Sequence, residues 1–297
     1  MGSVTSKSAG PSGRRAAALA AILLAGLVAA SGCGRRERIV LPVTLDERAG
    51  AAALRHPKDF STHEAVVRGV ATMLRRDLGL PVPEQVTVYM YSSRAVFERG
   101  LVTDGRLAPV RAAELGEFAI GVGKRRQLLL HDEGGSPASR DWLRLIAHEL
   151  THVAQIELAG SEGQAEQWLA EGMAEWAAFA VLESLGLDTL AERRAVAHGQ
   201  VRGYPPLQPG SRLDLVTLGS QRGFTARHQR DGSLATYQLA FLMTDYLARR
   251  HGFDRLIVYF RGFASGRSRF ENFYAVFGQS LPDFEAEIQQ RYGEVAR

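Results

Sequence analysis

The chain has 297 residues, of which 45% are hydrophobic and 23% charged, an ordinary globular balance with room for a substantial core. Its 36 bases and 32 acids give a formal charge of +4, yet three of the bases (Lys7, Arg14, Arg15) fall in residues 1–33, where there is no acid. The rest carries 33 bases against 32 acids, so bulk charge gives no support to a nucleic-acid partner, and no nucleic-acid-binding signature occurs.

Residues 1–33 read as an export signal. Arg14-Arg15 precede Ala16 to Ala30, fifteen uncharged residues that are all apolar except Gly26. The ending Ala30-Ser31-Gly32-Cys33 resembles a bacterial lipobox, with alanine where leucine is commonest, which implies lipidation of Cys33. Ordinary secretion and an uncleaved anchor are the alternatives. The run is shorter than the roughly 20 residues that a spanning helix needs. Cys33 is the sole cysteine, so a disulfide framework is excluded and the fold must rest on its core, with or without help from a metal. The expected location is the bacterial cell envelope, with a lipid-anchored protein facing the periplasm or the cell surface. Residues 34–37 read as a short tether and 38–297 as one catalytic unit.

Along that unit, Thr62 to Leu78 has helical spacing, stopped by Gly79 and the prolines at 81 and 83. Val86 to Tyr91 is a strand by its β-branched and aromatic content. Phe118–Val122 and Gln127–His131 are expected to be two strands joined through Gly123–Arg126. Helices follow over about 140–158 and 164–185, then an irregular stretch from Gly199 to Gly232. Ser233 to Arg250 is a helix closed by Gly252, and two or three shorter helices finish the chain, the last starting near Ser280. His131, His198 and His251 read as surface or loop residues, and Lys124-Arg125-Arg126 as a solvated turn. Strands early and helices late predict an α+β fold, a small antiparallel or mixed sheet followed by a mostly helical half.

The chemistry concentrates in His148-Glu149-Leu150-Thr151-His152. Residues four apart share a helix face, so His148 and His152 can present two imidazoles to one metal ion. Glu149 lies about 100° round the helix, beside the ion, where its carboxylate can accept a proton from an attacking water. A third ligand is expected from Trp168-Leu169-Ala170-Glu171-Gly172-Met173-Ala174-Glu175-Trp176. Between Trp168 and Leu182 only Glu171 and Glu175 are polar, so this helix should be buried and both carboxylates need partners. A cation plus a histidine N–H would satisfy both. For Glu175 the alternative is a buried salt bridge to Arg or Lys.

These motifs resemble the gluzincins, the thermolysin-like zinc peptidases, and most of all their bacterial peptidase-MA-like branch. Eighteen residues, Val153 to Ala170, separate His152 from Glu171, similar to the aminopeptidase-like members. The resemblance implies a zincin catalytic domain with Zn2+ held by His148, His152 and Glu171. It also implies Glu149 as general base and Glu175 as a carboxylate that orients a ligating imidazole. Tyr237, near the start of the 233–250 helix, looks like the family's downstream oxyanion donor, with His228 a weaker candidate. The hairpin around 118–131 would offer an edge strand to an extended peptide.

A peptide or protein substrate is the expected partner. With no Gly-rich exopeptidase motif upstream, an endopeptidase or processing enzyme fits better than an aminopeptidase. Two other functions fit the sequence: a metal-stabilised binding or assembly lipoprotein without turnover, and a zinc amidase acting on cell-wall material. Intact Glu149 argues against the first, because a structural site has no use for a base.

Overall fold

Two central strands organise the amino-terminal part because each contributes residues to a hydrophobic cluster on both faces of the sheet. The computed structural model describes residues 37–45, 56, 60–132 and 134–293. The leader over 1–33 with Cys33, and the tether up to residue 36, lie outside them. The sheet holds β1 (Arg38–Thr44), β2 (Gln85–Tyr91), β3 (Gly121–Lys124) and β4 (Gln127–His131) in the order β1-β2-β4-β3. β2 pairs antiparallel with β1 and parallel with β4, and β3 pairs antiparallel with β4. The sheet is therefore mixed, and β3 forms one of its edges.

Strand periodicity divides the core. Val86, Val88 and Met90 of β2, with Leu128 and Leu130 of β4, belong to the main core. Tyr91 and Leu129 face a second, smaller cluster with Phe97, Leu101 and Ala112. The main core includes the buried face of α1 (His63–Leu78), which starts at a Thr62 side-chain cap and ends at Gly79 in the left-handed region. The smaller cluster is covered by α2 (Arg94–Thr103) and α3 (Pro109–Phe118).

A mostly helical half follows: α4 (Arg140–Ala159), α5 (Gln167–Ser184), α6 (Leu190–Val201), α7 (Leu215–Leu218), α8 (Gln221–Asp231), α9 (Ser233–His251), α10 (Phe253–Gly262), α11 (Arg269–Phe277) and α12 (Leu281–Gly293). The fold class is α+β, as expected. α5 is buried along most of its length, with Trp168, Leu169, Met173, Ala177, Ala178 and Leu182 in the main core. It passes α9 at Gly172, where a Cβ would overlap Thr244 Oγ1 and the Ala240 carbonyl oxygen. That close crossing brings the start of α9 beside the carboxylates of α5.

Several local expectations need correction. Phe118 ends a helix, and the strand starts only at Gly121, because Pro109 opens α3 and Ala119 turns extended behind it. Neither α2 nor α3 was apparent from periodicity, since each is short and buries few side chains. The stretch from Gly199 to Gly232 is far from irregular: it holds the end of α6, a 3-10 turn over Pro205–Leu207, α7 and all of α8. α8 is polar, with only Gly223, Phe224, Arg227 and His228 buried, which hid its period. His131, His198 and His251 are partly buried within β4, α6 and α9, not loop residues. Lys124 belongs to β3 and donates to the Gly105 carbonyl oxygen at 3.0 Å, so only Arg125 and Arg126 form the exposed turn.

Candidate metal centre

α4 and α5 lie antiparallel, and their functional side chains meet in steps of one turn. Arg144 pairs with Glu175, His148 meets Glu171 and Glu175, and His152 meets Glu171. The α4 register is fixed by Ser139, whose hydroxyl caps the Trp142 N–H at 3.3 Å, and by Gly160 in the left-handed conformation at the far end. Helical spacing places Arg144, His148 and His152 on one face of α4, and Glu171 and Glu175 on one face of α5.

Three donor atoms converge. His148 Nε2 lies 3.1 Å from His152 Nε2 and 3.3 Å from Glu171 Oε2, and His152 Nε2 lies 3.5 Å from the same oxygen. Nitrogen and oxygen ligands at about 2.0–2.1 Å from a tetrahedral zinc stand about 3.3 Å apart, so the triangle has the size the ion needs. Among the described residues this is the one His/Cys/Asp/Glu group of three so arranged. The local charge agrees. Three carboxyl groups, Glu149, Glu171 and Glu175, are buried here beside a single guanidinium, Arg144, and a divalent cation offsets the excess.

Both imidazoles are oriented from behind. Gln155 Nε2 donates to the Ala170 carbonyl oxygen at 2.9 Å, so its Oε1, 2.9 Å from His152 Nδ1, must accept there. That puts the proton on Nδ1 and turns the Nε2 lone pair into the triangle. On His148 the Nδ1 faces Glu175 Oε1 at 3.4 Å, and Glu175 is gripped by Arg144 through both of its oxygens. Gln167 donates to Glu171 Oε1 at 2.8 Å, leaving Oε2 as the oxygen aimed at the histidines. The two possibilities for Glu175, an imidazole partner and a buried salt bridge, thus occur together.

Electrostatics follow from this packing. Burial alone would lower the His148 pKa, but Glu171 and Glu175 outweigh it and raise it to about 10. His152 is raised too, burial again being outweighed by Glu171. Burial pushes Glu171 and Glu175 up, yet the histidines hold Glu171 well below the carboxylate range, and Arg144 with His148 holds Glu175 down at about 2. Glu149 goes the other way. Burial raises it against the pull of His148 and His152, Glu171 adds to the rise, and the Gly123 N–H opposes it. A carboxyl moved upward is better matched to exchanging a proton near neutral pH.

Glu149 is held by the sheet edge. The Gly123 N–H donates to its Oε2 at 2.5 Å. A Cβ on Gly123 would overlap the Glu149 carbonyl oxygen and come within 3.0 Å of His152 Cβ, and one on Gly121 would lie 2.8 Å from Glu149 Oε1. The Gly-Val-Gly run therefore lets β3 lie directly on the α4 face that carries the motif. The His131 N–H donates to the Ile120 carbonyl oxygen, and the register pairs Val122 with Leu129 and Lys124 with Gln127. By antiparallel alternation, the backbone groups of Gly121 and Gly123 face away from β4.

A cavity of about 430 Å3 opens over the triangle, lined also by Glu149, the β3 edge, Leu115, Phe118, His228 and Tyr237. Tyr237 stands edge-on to Phe224 and His228, and the His228 ring lies 4.3 Å from that of Phe118. Burial and then the three carboxylates push the Tyr237 hydroxyl well above its ordinary pKa, so it stays a proton donor. His228 is lowered by burial, with Glu171 opposing, and its Nδ1 is buried with no hydrogen-bond partner.

No family model, curated protein or solved structure matches this chain. What the structure supports is a small mixed sheet followed by a helical half, with a buried His148/His152/Glu171 group that could hold a metal. His148, His152 and Glu171 come together as expected, with Glu149, Glu175 and Tyr237 around the same cavity. Arg144, Gln155, Gln167 and the two glycines of β3 were missed. The first three lie one helical turn from a motif residue, and that spacing was the available signal.

Proposed function

We propose that this protein is a zinc-dependent peptidase of the gluzincin type, exported and held at the bacterial cell envelope through a lipid on Cys33. The observation that carries the reading is the Nε2–Nε2–Oε2 triangle beside a raised, strand-anchored Glu149 on the floor of an open cavity. His148, His152 and Glu171 would hold the ion, which when bound supplies Lewis-acid polarisation of the scissile carbonyl and of the attacking water. The exposed fractions of the two histidine side chains, 12% and 18%, fit a site that keeps a position open toward the cavity better than a closed structural one.

The chain's own groups divide the rest of the reaction. Glu149, anchored through Oε2, accepts the water proton on Oε1 and delivers it to the leaving amine nitrogen. The Tyr237 hydroxyl, protonated at all working pH values, donates to the developing oxyanion, and His228 can add a second donor. The outward Gly121 N–H and the outward carbonyl oxygens of Gly121 and Gly123 pair with an extended substrate, the Gly123 N–H being held by Glu149, which favours a peptide or protein over a compact small molecule. Among the described residues no helix is long and apolar enough to cross a membrane. The lipid on Cys33 is thus the membrane contact this reading assigns.

Metal analysis of residues 38–297, followed by cleavage of a peptide library alongside Glu149→Gln, tests the proposal. One zinc per chain is expected, with hydrolysis that a chelator removes and a variant that keeps zinc but loses most turnover. Folded protein without zinc, or Glu149→Gln cleaving at the wild-type rate, refutes it.

A further inference from the structure

The two histidines are oriented by unlike partners, and that asymmetry leads to a residue outside the motif. His152 is set by a neutral amide, Gln155, tied to backbone. His148 is set by an anion, Glu175, which could turn its carboxylate elsewhere because nothing but side chains restrains it. The restraint comes from Arg144, one turn before His148. Its Nε donates to Glu175 Oε2 at 3.1 Å, while its other arm bonds Oε1, the same oxygen that faces His148 Nδ1. The guanidinium is itself held, with its carbon 5.6 Å from the centre of the Phe179 ring, one turn beyond Glu175 on α5.

We propose that Arg144 is a positioning residue for the metal centre: its two-pronged grip, braced on Phe179, aims Glu175 at His148 and so fixes that imidazole for the ion. The inference rests on the metal reading above. A planar fork is the group this task needs. A point charge such as lysine neutralises Glu175 but leaves the carboxylate free to rotate. The arrangement also explains why an arginine lines a cleft whose chemistry does not call for one: both of its working nitrogens are spent on Glu175. Losing a partner of a ligating histidine costs about 10–100-fold in metal affinity. Acting one step further back, Arg144 should give a loss toward the lower end, roughly tenfold.

The experiment measures zinc affinity of the purified protein by competition with a chromophoric chelator, and the visible spectrum of the cobalt(II) form. Wild type, Arg144→Gln, Arg144→Lys, Glu175→Gln and the Arg144→Gln/Glu175→Gln double variant are compared, with circular dichroism recording the fold. Arg144→Gln should weaken zinc roughly tenfold and shift the cobalt bands, with Arg144→Lys between it and wild type. The double variant should bind no worse than Glu175→Gln alone, because Arg144 acts through Glu175. Arg144→Gln binding within about twofold of wild type overturns the inference, as does a double loss equal to the product of the two single losses. Where Arg144→Gln fails to fold, Arg144→Lys decides: a loss of at least about threefold supports the role, and wild-type affinity overturns it. Wild-type protein that takes up no zinc brings down the metal reading and this inference with it. Wild-type uptake with an unaffected Arg144 series brings down this inference alone.

Discussion

Replacing Gly123 with alanine probes the contact on which the rest of the site depends. The added methyl would overlap the Glu149 carbonyl oxygen and press on His152 Cβ at 3.0 Å, and neither neighbour can yield, since one is helix backbone and the other carries a ligand. β3 must therefore lift from α4. Inserting a methyl into such packing costs about 1–3 kcal/mol. For a domain of this size each kcal/mol moves the midpoint by roughly 2–4 °C, so the melting temperature should fall by about 2–12 °C. The shift also breaks the 2.5 Å bond from Gly123 N–H to Glu149 Oε2. The Glu149 carboxylate then loses its orientation, and hydrolysis should drop by about 10–100-fold with zinc still bound. Differential scanning calorimetry and peptide cleavage would record the two effects. Gly199→Ala is the control: it sits in α6 with nothing within 4 Å of the added methyl and should gain about 0.4–1 kcal/mol. A Gly123→Ala protein that melts and cleaves like wild type would mean that β3 does not lie on α4, and the anchoring of Glu149 would go with it.

Four further outcomes are expected. Glu171→Ala should abolish zinc uptake at micromolar metal, whereas Glu175→Ala should lose about 10–100-fold and recover with added zinc; isothermal titration giving the reverse order would mean the third ligand is misassigned. Tyr237→Phe should cut turnover by about 100-fold at unchanged zinc affinity, and equal loss of both would make Tyr237 a packing residue only. Glu166 is fully buried, and burial, opposed by Arg269 and the Trp168 N–H, raises its pKa to about 7. A raised folded pKa contributes stability that is complete below the unfolded value and is lost as pH rises through about 7, by roughly 3 kcal/mol at most. Urea melts of wild type and Glu166→Gln should therefore converge or cross in favour of the glutamine between pH 5 and 8.5, and parallel curves would contradict the shift. Cys33→Ser should leave the protein unprocessed or soluble; fractionation that finds it processed and membrane-bound would rule out lipidation.

What could be read in advance was whatever a single helix displays by itself. His148, Glu149 and His152 share one helix, and the charge-free stretch around Glu171 and Glu175 announces burial without any knowledge of a partner. The strand over Val86–Tyr91 was legible in the same way, from its own β-branched and aromatic content. α3 and α8 were not. Their short amphipathic faces, Ala112 with Gly116 and Phe224 with His228, hold too few apolar residues to stand out from a polar background. The supports of the site were hidden by a different cause. Gln155, Gln167 and Arg144 look like ordinary exposed helix polarity until the facing helix is in place, and Gly121 looks like a plain strand glycine and Gly123 like a turn residue until α4 is found lying on them.

The treatment of Glu175 shows what was lost by reading helices singly. On one helix, a histidine partner and an arginine salt bridge compete for the same carboxylate, and a choice between them looks necessary. Two antiparallel helices with functional residues at four-residue intervals remove the choice. Each step along α4 meets a step along α5, so a carboxylate opposite the gap between Arg144 and His148 reaches both. Arg144 together with His148 holds the Glu175 carboxyl well below its ordinary range against the effect of burial, so both of its oxygens are acceptors at neutral pH, one of them facing His148 Nδ1. The salt bridge therefore coexists with the imidazole contact and does not compete with it. A buried ion pair adds little stability on its own. Its place in this fold is better understood as holding the histidine at the angle a bound metal would require.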